Sequence, residues 1–349
     1  MDRRTYLKGT LGLAAGALLP PGVIALSGCS GTDLAEGVAC FRGRTMGTGY
    51  SVQSAEPNGL SKALEADTAA LLEQIETRMS TYLPSSELSR FNASRDTDWM
   101  PLSAPNARVI ASALEASAAS GGAFDATVGP LVNLWGFGPD DRRGAAPAEA
   151  EIGAALERVG YANIELDAAG EAIRKLRADA YLDLSGIAKG HAVDDVAELL
   201  ERHGHTAYLA EIGGELRARG TKEDGSAWRV AIERPTAGRR AVYRVVELRD
   251  AAIATSGDYR NFFDAGGQRY SHSIDPRGGR PVAHELASVS VIADSTMEAD
   301  ALSTALMIQG PAEGLDFARE HSLAAHFVIK SAAGLNETYT DAFARHLVA

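Results

Sequence analysis

The sequence predicts an α+β fold, on three observations. Segments with apolar residues at helical spacing gather in the first half. A run of short segments with alternating polar and apolar residues dominates the second half, and no internal repeat is present. Alternation such as Val242, Val245, Val246 and Leu248 points to antiparallel sheet with one face covered by helices.

The elements follow in order. Residues 41–53 read as a strand pair around Thr45-Met46-Gly47-Thr48-Gly49-Tyr50. Leu64, Leu71, Leu72, Ile75 and Met79 share one face of a helix over 61–80, with Pro84 and a serine-rich loop beyond it. A second helix spans about 105–120, with proline in its first turn and Gly121-Gly122 as its stop. From Gly122 to Gly138 the apolar residues have no clean period and glycines interrupt them, so the stretch reads as buried irregular chain wrapping a site. A helix over 147–159 ends at Gly160, and 164–166 pairs with 172–176 as a hairpin across Ala169-Gly170. Tyr181 to Leu184 reads as a strand feeding a helix that continues to about His203, with Ser185 as its cap. Strands are expected near 206–210, 215–219, 228–233, 241–249, 251–254, 269–274 and 287–293. Helices at 296–308 and 312–321, a strand at 325–330 and a short terminal helix complete the chain.

At 349 residues, 45% hydrophobic and 23% charged, the chain can bury a sizeable core. Its net charge of −12 lacks the basic footprint of a nonspecific nucleic-acid binder, so no nucleic-acid partner is expected. Residues 1–28 read as a leader. Arg3-Arg4-Thr5-Tyr6-Leu7-Lys8 resembles a twin-arginine signal, and a broken apolar run from Gly9 to Leu26 follows. Leu26-Ser27-Gly28-Cys29 resembles a lipobox, which makes Cys29 the lipidated first residue; a plain signal peptide or an uncleaved anchor is the alternative. Residues 29–39 would then be a tether and 40–349 the working domain, exported and lipid-anchored to a membrane facing the periplasm. With Cys29 acylated, Cys40 would be left alone and no intramolecular disulfide would form.

Several groups suit chemistry. Asp300 and Thr304, four apart on a helix, offer an anionic and a neutral oxygen on one face, a set that suits Mg²⁺. Spacing alone better fits an Asp at a helix start and a Thr bonded to its own helix. Asp183 stands just before a helix N-terminus, where a carboxylate must be satisfied by amides, a ligand hydroxyl or a metal. Lys189 lies one turn further on, placed to meet a phosphate or simply solvated. Tyr82 follows a helix end and could stack on a planar ring or serve as rim. The stretch from Ala254 to Pro281 is poor core material. It carries Asp258, Arg260, Asn261, His272, Asp275 and Arg277 among glycines and aromatics, as a site-bearing loop or a surface hairpin with a solvated histidine would.

Eight stretches, in order, resemble the ApbE family of FAD:protein FMN transferases. They are residues 45–50 (TMGTGY), 79–82 (MSTY), 122–138, 183–190 (DLSGIAKG), 211–215 (EIGGE), 254–260 (ATSGDYR), 271–277 (SHSIDPR) and 299–306 (ADALSTAL). The resemblance implies an ApbE-like, T-fold-like arrangement of antiparallel sheets flanked by helices. It implies FAD as substrate, Mg²⁺ as cofactor, and transfer of FMN to a Thr or Ser hydroxyl of a target flavoprotein with release of AMP. Redox-pump subunits are acceptors of this kind. Carried across, Met46, Tyr82, Ala123, Phe124, Asp125, Asp183, Lys189 and Ile274 would line the FAD. Gly186, through its carbonyl, would hold the metal with Asp300 and Thr304, and His272 would be the base. Three positions depart from the family pattern: Gly278 where Thr is frequent, His191 where Tyr is common and Ser273 where Thr is common. The same residues also suit two other outcomes, an FAD pyrophosphatase giving FMN and AMP, or a flavin-holding lipoprotein without turnover.

Overall fold

The computed structural model describes residues 37–139, 144–236 and 241–348, with the backbone of 23–25. The expected leader (1–28) and tether (29–39) therefore lie largely outside the described residues. The centre is an eight-stranded antiparallel sheet of β1 (Ala39–Thr45), β2 (Thr48–Ser54), β3 (Tyr208–Ile212), β4 (Glu215–Arg219), β5 (Ala251–Gly257), β6 (Leu286–Ala293), β7 (Ala324–Ser331) and β8 (Gly334–Tyr339). The strands lie side by side in chain order. What breaks the meander is length, because residues 55–207 intervene between the neighbours β2 and β3.

That excursion supplies α1 (Lys62–Met79), α2 (Glu87–Ala93), α3 (Ala104–Ala119), α4 (Gly129–Leu134), α5 (Glu149–Leu156) and α6 (Ala188–Arg202). α7 (Thr296–Glu320) joins β6 to β7, and α8 (Asp341–Ala344) closes the chain. Alternation along β3 sorts the core. Tyr208, Ala210 and Ile212 join Leu64, Leu72, Ile75, Val193 and Val196 on the helical side, whereas Leu209 faces Leu216, Trp228, Val230 and Phe343 on the other. The second face is covered by a three-stranded sheet of Val23–Ala25, Trp228–Glu233 and Val242–Leu248.

Helix α6 meets α7 at Gly190. A Cβ there would lie 2.7 Å from the Met297 Cα and would also meet the Thr296 carbonyl. Asp194, one turn on, accepts from the amides of Thr296 (3.0 Å) and Met297 (2.9 Å) and from Arg217 (2.7 Å), so a carboxylate of α6 caps the positive end of α7. Within α7 the chain breaks at Gly310 (φ 80°, ψ −173°), where Pro311 has no N–H for the Met307 carbonyl. His284 Nε2 donates to that carbonyl instead, at 2.9 Å.

Several local expectations need correction. Residues 181–184 belong to no sheet: the Asn92 amide holds Leu182 N and O (both 2.8 Å), and Asp183 N donates to Ala126 O at 2.7 Å. Ser185 does not cap α6, which starts at Ala188 with Ile187 at its N-cap, because the Ser185 hydroxyl is donated to Asp183. The serine-rich loop contains α2, with Ser86 accepting from Ser89 N, and the irregular 122–138 stretch contains α4. The two helices expected at 296–308 and 312–321 are both present, parted by the kink at Gly310, but strand β8 was not anticipated. His272 sits in the link between a hairpin strand, Gln268–Ser271, and the short strand Ile274–Asp275 rather than inside one strand. Cys40 is disulfide-bonded, whereas the sequence expectation, conditional on acylation of Cys29, left it alone.

Gly190→Ala is expected to force α6 and α7 apart and to cost about 1–3 kcal/mol, the usual range for overpacking. Denaturant unfolding checks this, and an unchanged midpoint would show that the helices tolerate the methyl group.

Candidate active site

All twelve residues assigned from the sequence to flavin, metal or proton transfer line one cleft: Met46, Tyr82, Ala123, Phe124, Asp125, Asp183, Gly186, Lys189, His272, Ile274, Asp300 and Thr304. The cleft is two adjoining cavities of about 700 and about 400 Å³, with Met46, Tyr82, Lys189, Asn261 and His272 on the wall of both. That is ample for a nucleotide-sized ligand. The residues come from the β1–β2 turn, the end of α1, the 122–138 segment, the start of α6, the hairpin before β6 and the first turns of α7.

At its floor lies a buried charge cluster. Lys189 Nζ pairs with Glu215 Oε1 at 2.6 Å and lies 3.7 Å from Asp300 Oδ1. Glu215 and Asp300 keep 3% and 4% of their side-chain surface, and Lys189 keeps 25%, open to the cleft. Burial alone pushes the ammonium down, but Asp300 and Glu215 outweigh it and hold Lys189 above its usual value. Burial pushes Glu215 up, with Lys189 opposing and Asp300 reinforcing. Asp300 Oδ2 accepts from Gly190 N at 3.0 Å, and buried Glu215 Oε2 has no hydrogen-bond partner among the described residues.

The donor set fits Mg²⁺. Two carboxylates around one ammonium leave the cluster short of positive charge. A Cβ at Gly186 would stand 3.2 Å from Thr304 Oγ1 and 3.1 Å from the Phe124 ring, so any side chain there would press on the hydroxyl. Carboxylate, hydroxyl and backbone carbonyl are hard oxygen donors of the kind Mg²⁺ takes; among the described residues no group of three or more His, Cys, Asp and Glu is placed to hold a metal.

His272 is half-buried, with Nδ1 at 3.0 Å from the Asn261 carbonyl. A carbonyl only accepts, so Nδ1 carries the proton and Nε2 the lone pair. Burial holds the ring below its ordinary pKa; the bond to Asn261 opposes this and the Lys189 charge adds to it. The Phe137 ring stands edge-on to the imidazole, with centroids 6.3 Å apart. Tyr82 is 63% exposed, and its hydroxyl donates to Phe137 O at 3.2 Å across the cleft.

Two assigned carboxylates are committed to the protein. Asp125 accepts from Thr127 N (2.7 Å), Thr127 Oγ1 (2.6 Å) and Tyr161 N (3.0 Å), and Asp183 from Ser185 N (2.9 Å) and Oγ (2.6 Å). They shape the cleft wall through its backbone. Two others had no role in the sequence reading. Glu76 accepts from Met46 N and, at 3.2 Å, from Thr45 Oγ1, which holds Met46 at its positive φ of 46°. Glu215 was visible only as the last residue of EIGGE, after the Gly213-Gly214 turn that aims it at Lys189.

The ApbE family profile matches residues 46–327. An FAD:protein FMN transferase of Vibrio cholerae is 41% identical over 303 residues, 86% of this chain and 90% of that one. One of Haemophilus influenzae is 40% identical over 313 residues, 88% and 90% of the two chains. The solved flavin transferase ApbE of Vibrio cholerae superposes with a TM-score of 0.82 at 39% identity, covering 89% of this chain and 99% of that one. The apo flavinyl transferase ApbE of Pseudomonas stutzeri gives 0.81 at 43% identity, covering 89% and 97%. With most of its length matched, and every motif converging on one cleft, this chain belongs to the ApbE family.

Proposed function

We propose that this protein is an FAD:protein FMN transferase: it moves the FMN half of FAD to a Ser or Thr hydroxyl of a target flavoprotein. The observation that carries the reading is the tautomer of His272, with Nδ1–H committed to Asn261 and Nε2 left basic, on the same cleft as Lys189, Asp300 and Thr304. The acceptor oxygen attacks the FMN phosphorus and its proton goes to His272 Nε2. The bond from that phosphorus to the bridging oxygen breaks, and AMP leaves with the bridging oxygen. Lys189 supplies a fixed cation beside the departing charge, held upright by Glu215. Asp300, Thr304 and the Gly186 carbonyl would hold Mg²⁺, which supplies neutralisation of the diphosphate oxygens. Lining the cleft, Met46, Tyr82, Phe124 and Ile274 offer apolar and aromatic surface to the flavin and adenine rings.

The start of the chain supports an exported, lipid-anchored protein: a twin-arginine-like leader ends in a lipobox at Cys29. Acceptors would then be exported or membrane-bound flavoproteins, such as redox-pump subunits. The chain has two cysteines, so a thioether at Cys29 and an intramolecular bridge from Cys40 exclude each other in one molecule. Lipidated protein should therefore carry Cys40 as a thiol. Cys29→Ser is expected to release the protein from membranes. Mass spectrometry of the membrane-bound form, with thiol labelling after denaturation, should find the label on Cys40. A membrane fraction that keeps the Cys29→Ser variant would refute the anchor.

Incubation with FAD, Mg²⁺ and an acceptor protein should give AMP and protein-bound flavin in equal amounts. Free FMN without an acceptor would mark a hydrolase, and unchanged bound FAD a carrier. His272→Ala is expected to bind FAD yet lose about 10²–10⁴ in transfer rate. In the wild type, kcat/KM should fall on the acid side only as pH drops through a midpoint below 6.5, since the lowered pKa keeps the imidazole neutral above it. An acid limb centred above 6.5 would remove His272 as the base. Asp300→Asn is expected to abolish the response to Mg²⁺, and an unaltered Mg²⁺ titration would exclude Asp300 as a ligand.

A further inference from the structure

Running inward from the cleft wall, three hydroxyl groups form a chain. Ser303 Oγ donates to the Asp300 carbonyl at 3.0 Å, Ser256 Oγ lies 2.9 Å from Ser303 Oγ, and Ser256 Oγ lies 3.4 Å from Thr304 Oγ1, the longest link. Each hydroxyl has one proton to give. The Ser303 proton goes to a carbonyl, which can only accept. Ser256 must therefore donate to Ser303, and with its own proton spent it can only accept from Thr304.

We propose that Ser256 and Ser303 are positioning residues that fix the polarity of the Thr304 hydroxyl, turning its proton into the protein and leaving its lone pairs for a divalent cation. The inference rests on the cation site proposed above and adds how that site is prepared. A threonine inside a helix ordinarily donates to the carbonyl four residues back, which here is that of Asp300. Ser303, three residues on from Asp300 and fully buried, takes that carbonyl. Displaced from its own helix, Thr304 is left with the strand residue Ser256 as its acceptor, at the end of β5. The relay thus starts on the backbone of Asp300 and ends on the hydroxyl one turn further along the same helix. Were Thr304 to point its proton into the cleft, it would suit a phosphate oxygen and repel a cation.

The test is Mn²⁺ binding to the full chain in the presence of FAD, read from the electron paramagnetic resonance of free Mn²⁺, alongside Mg²⁺ titrations of transfer. Ser256→Ala and Ser303→Ala are expected to weaken cation binding about three- to tenfold, the range for one lost hydrogen bond. The loss should appear in the half-saturating Mg²⁺ concentration and shrink at saturating Mg²⁺. Ser256→Thr, which keeps the hydroxyl, should restore wild-type affinity. Equal affinity in folded wild type and Ser256→Ala overturns the proposal, as does a loss that Ser256→Thr shares. If Ser303→Ala does not fold, the two Ser256 variants decide alone. Asp300→Asn separates the layers. Mn²⁺ affinity surviving in that variant sinks the cation site itself, whereas its loss there with full affinity in Ser256→Ala sinks only the relay.

Discussion

The contact on which the site depends is the close approach of α6 to α7 at Gly190. It brings Lys189, on one side of the contact, within reach of Asp300 on the other, and it lets the Gly190 amide donate to the Asp300 carboxylate. Asp194 fixes the same pair of helices from the next turn, with two amides of α7 and the Arg217 guanidinium on one carboxylate. Neither residue touches the reacting atoms. They set the distance between a cation from one helix and an anion from the other, in surroundings where an uncompensated charge is costly.

The electrostatics of the floor follow from that geometry. Glu215 comes from a strand and Asp300 from a helix, so Lys189 is held by carboxylates of two separate elements. Burial favours loss of charge on Lys189 and on Glu215, and the attraction of Asp300 and Glu215 is what keeps the ammonium protonated. A polyanionic substrate therefore meets a fixed positive group whose direction was set before binding, with less reorganisation left for the reaction itself.

Much of this was legible in the sequence. Asp300 and Thr304 share a face because helical periodicity puts them there, and the motif stretches marked most of the cleft wall. What was hidden depended on partners far away in the chain. Glu76 drew no reading from its helix alone, and its role appears only when the β1–β2 turn presents Met46 N to it. Residues 181–184 had the pattern of a strand, but the Asn92 side chain, 90 residues earlier, takes the hydrogen bonds that a sheet neighbour would have taken. Strand β8 was missed because its side chains are mostly exposed or half-buried and carry little apolar alternation. The break in α7 was readable at Gly310-Pro311, but not the bond from His284, on another loop, to the Met307 carbonyl that the proline leaves unmet.

The long excursion between β2 and β3 also bears on how the molecule is made. As the chain leaves the ribosome, the first hairpin is complete long before its neighbouring strand exists, and its β2 edge must wait for residues 55–207. Contacts of such sequence separation form slowly, and a waiting edge invites pairing with other chains. The helices synthesised meanwhile can shield the apolar face of that hairpin, so the segment that builds the cleft also acts as its own temporary cover during biogenesis.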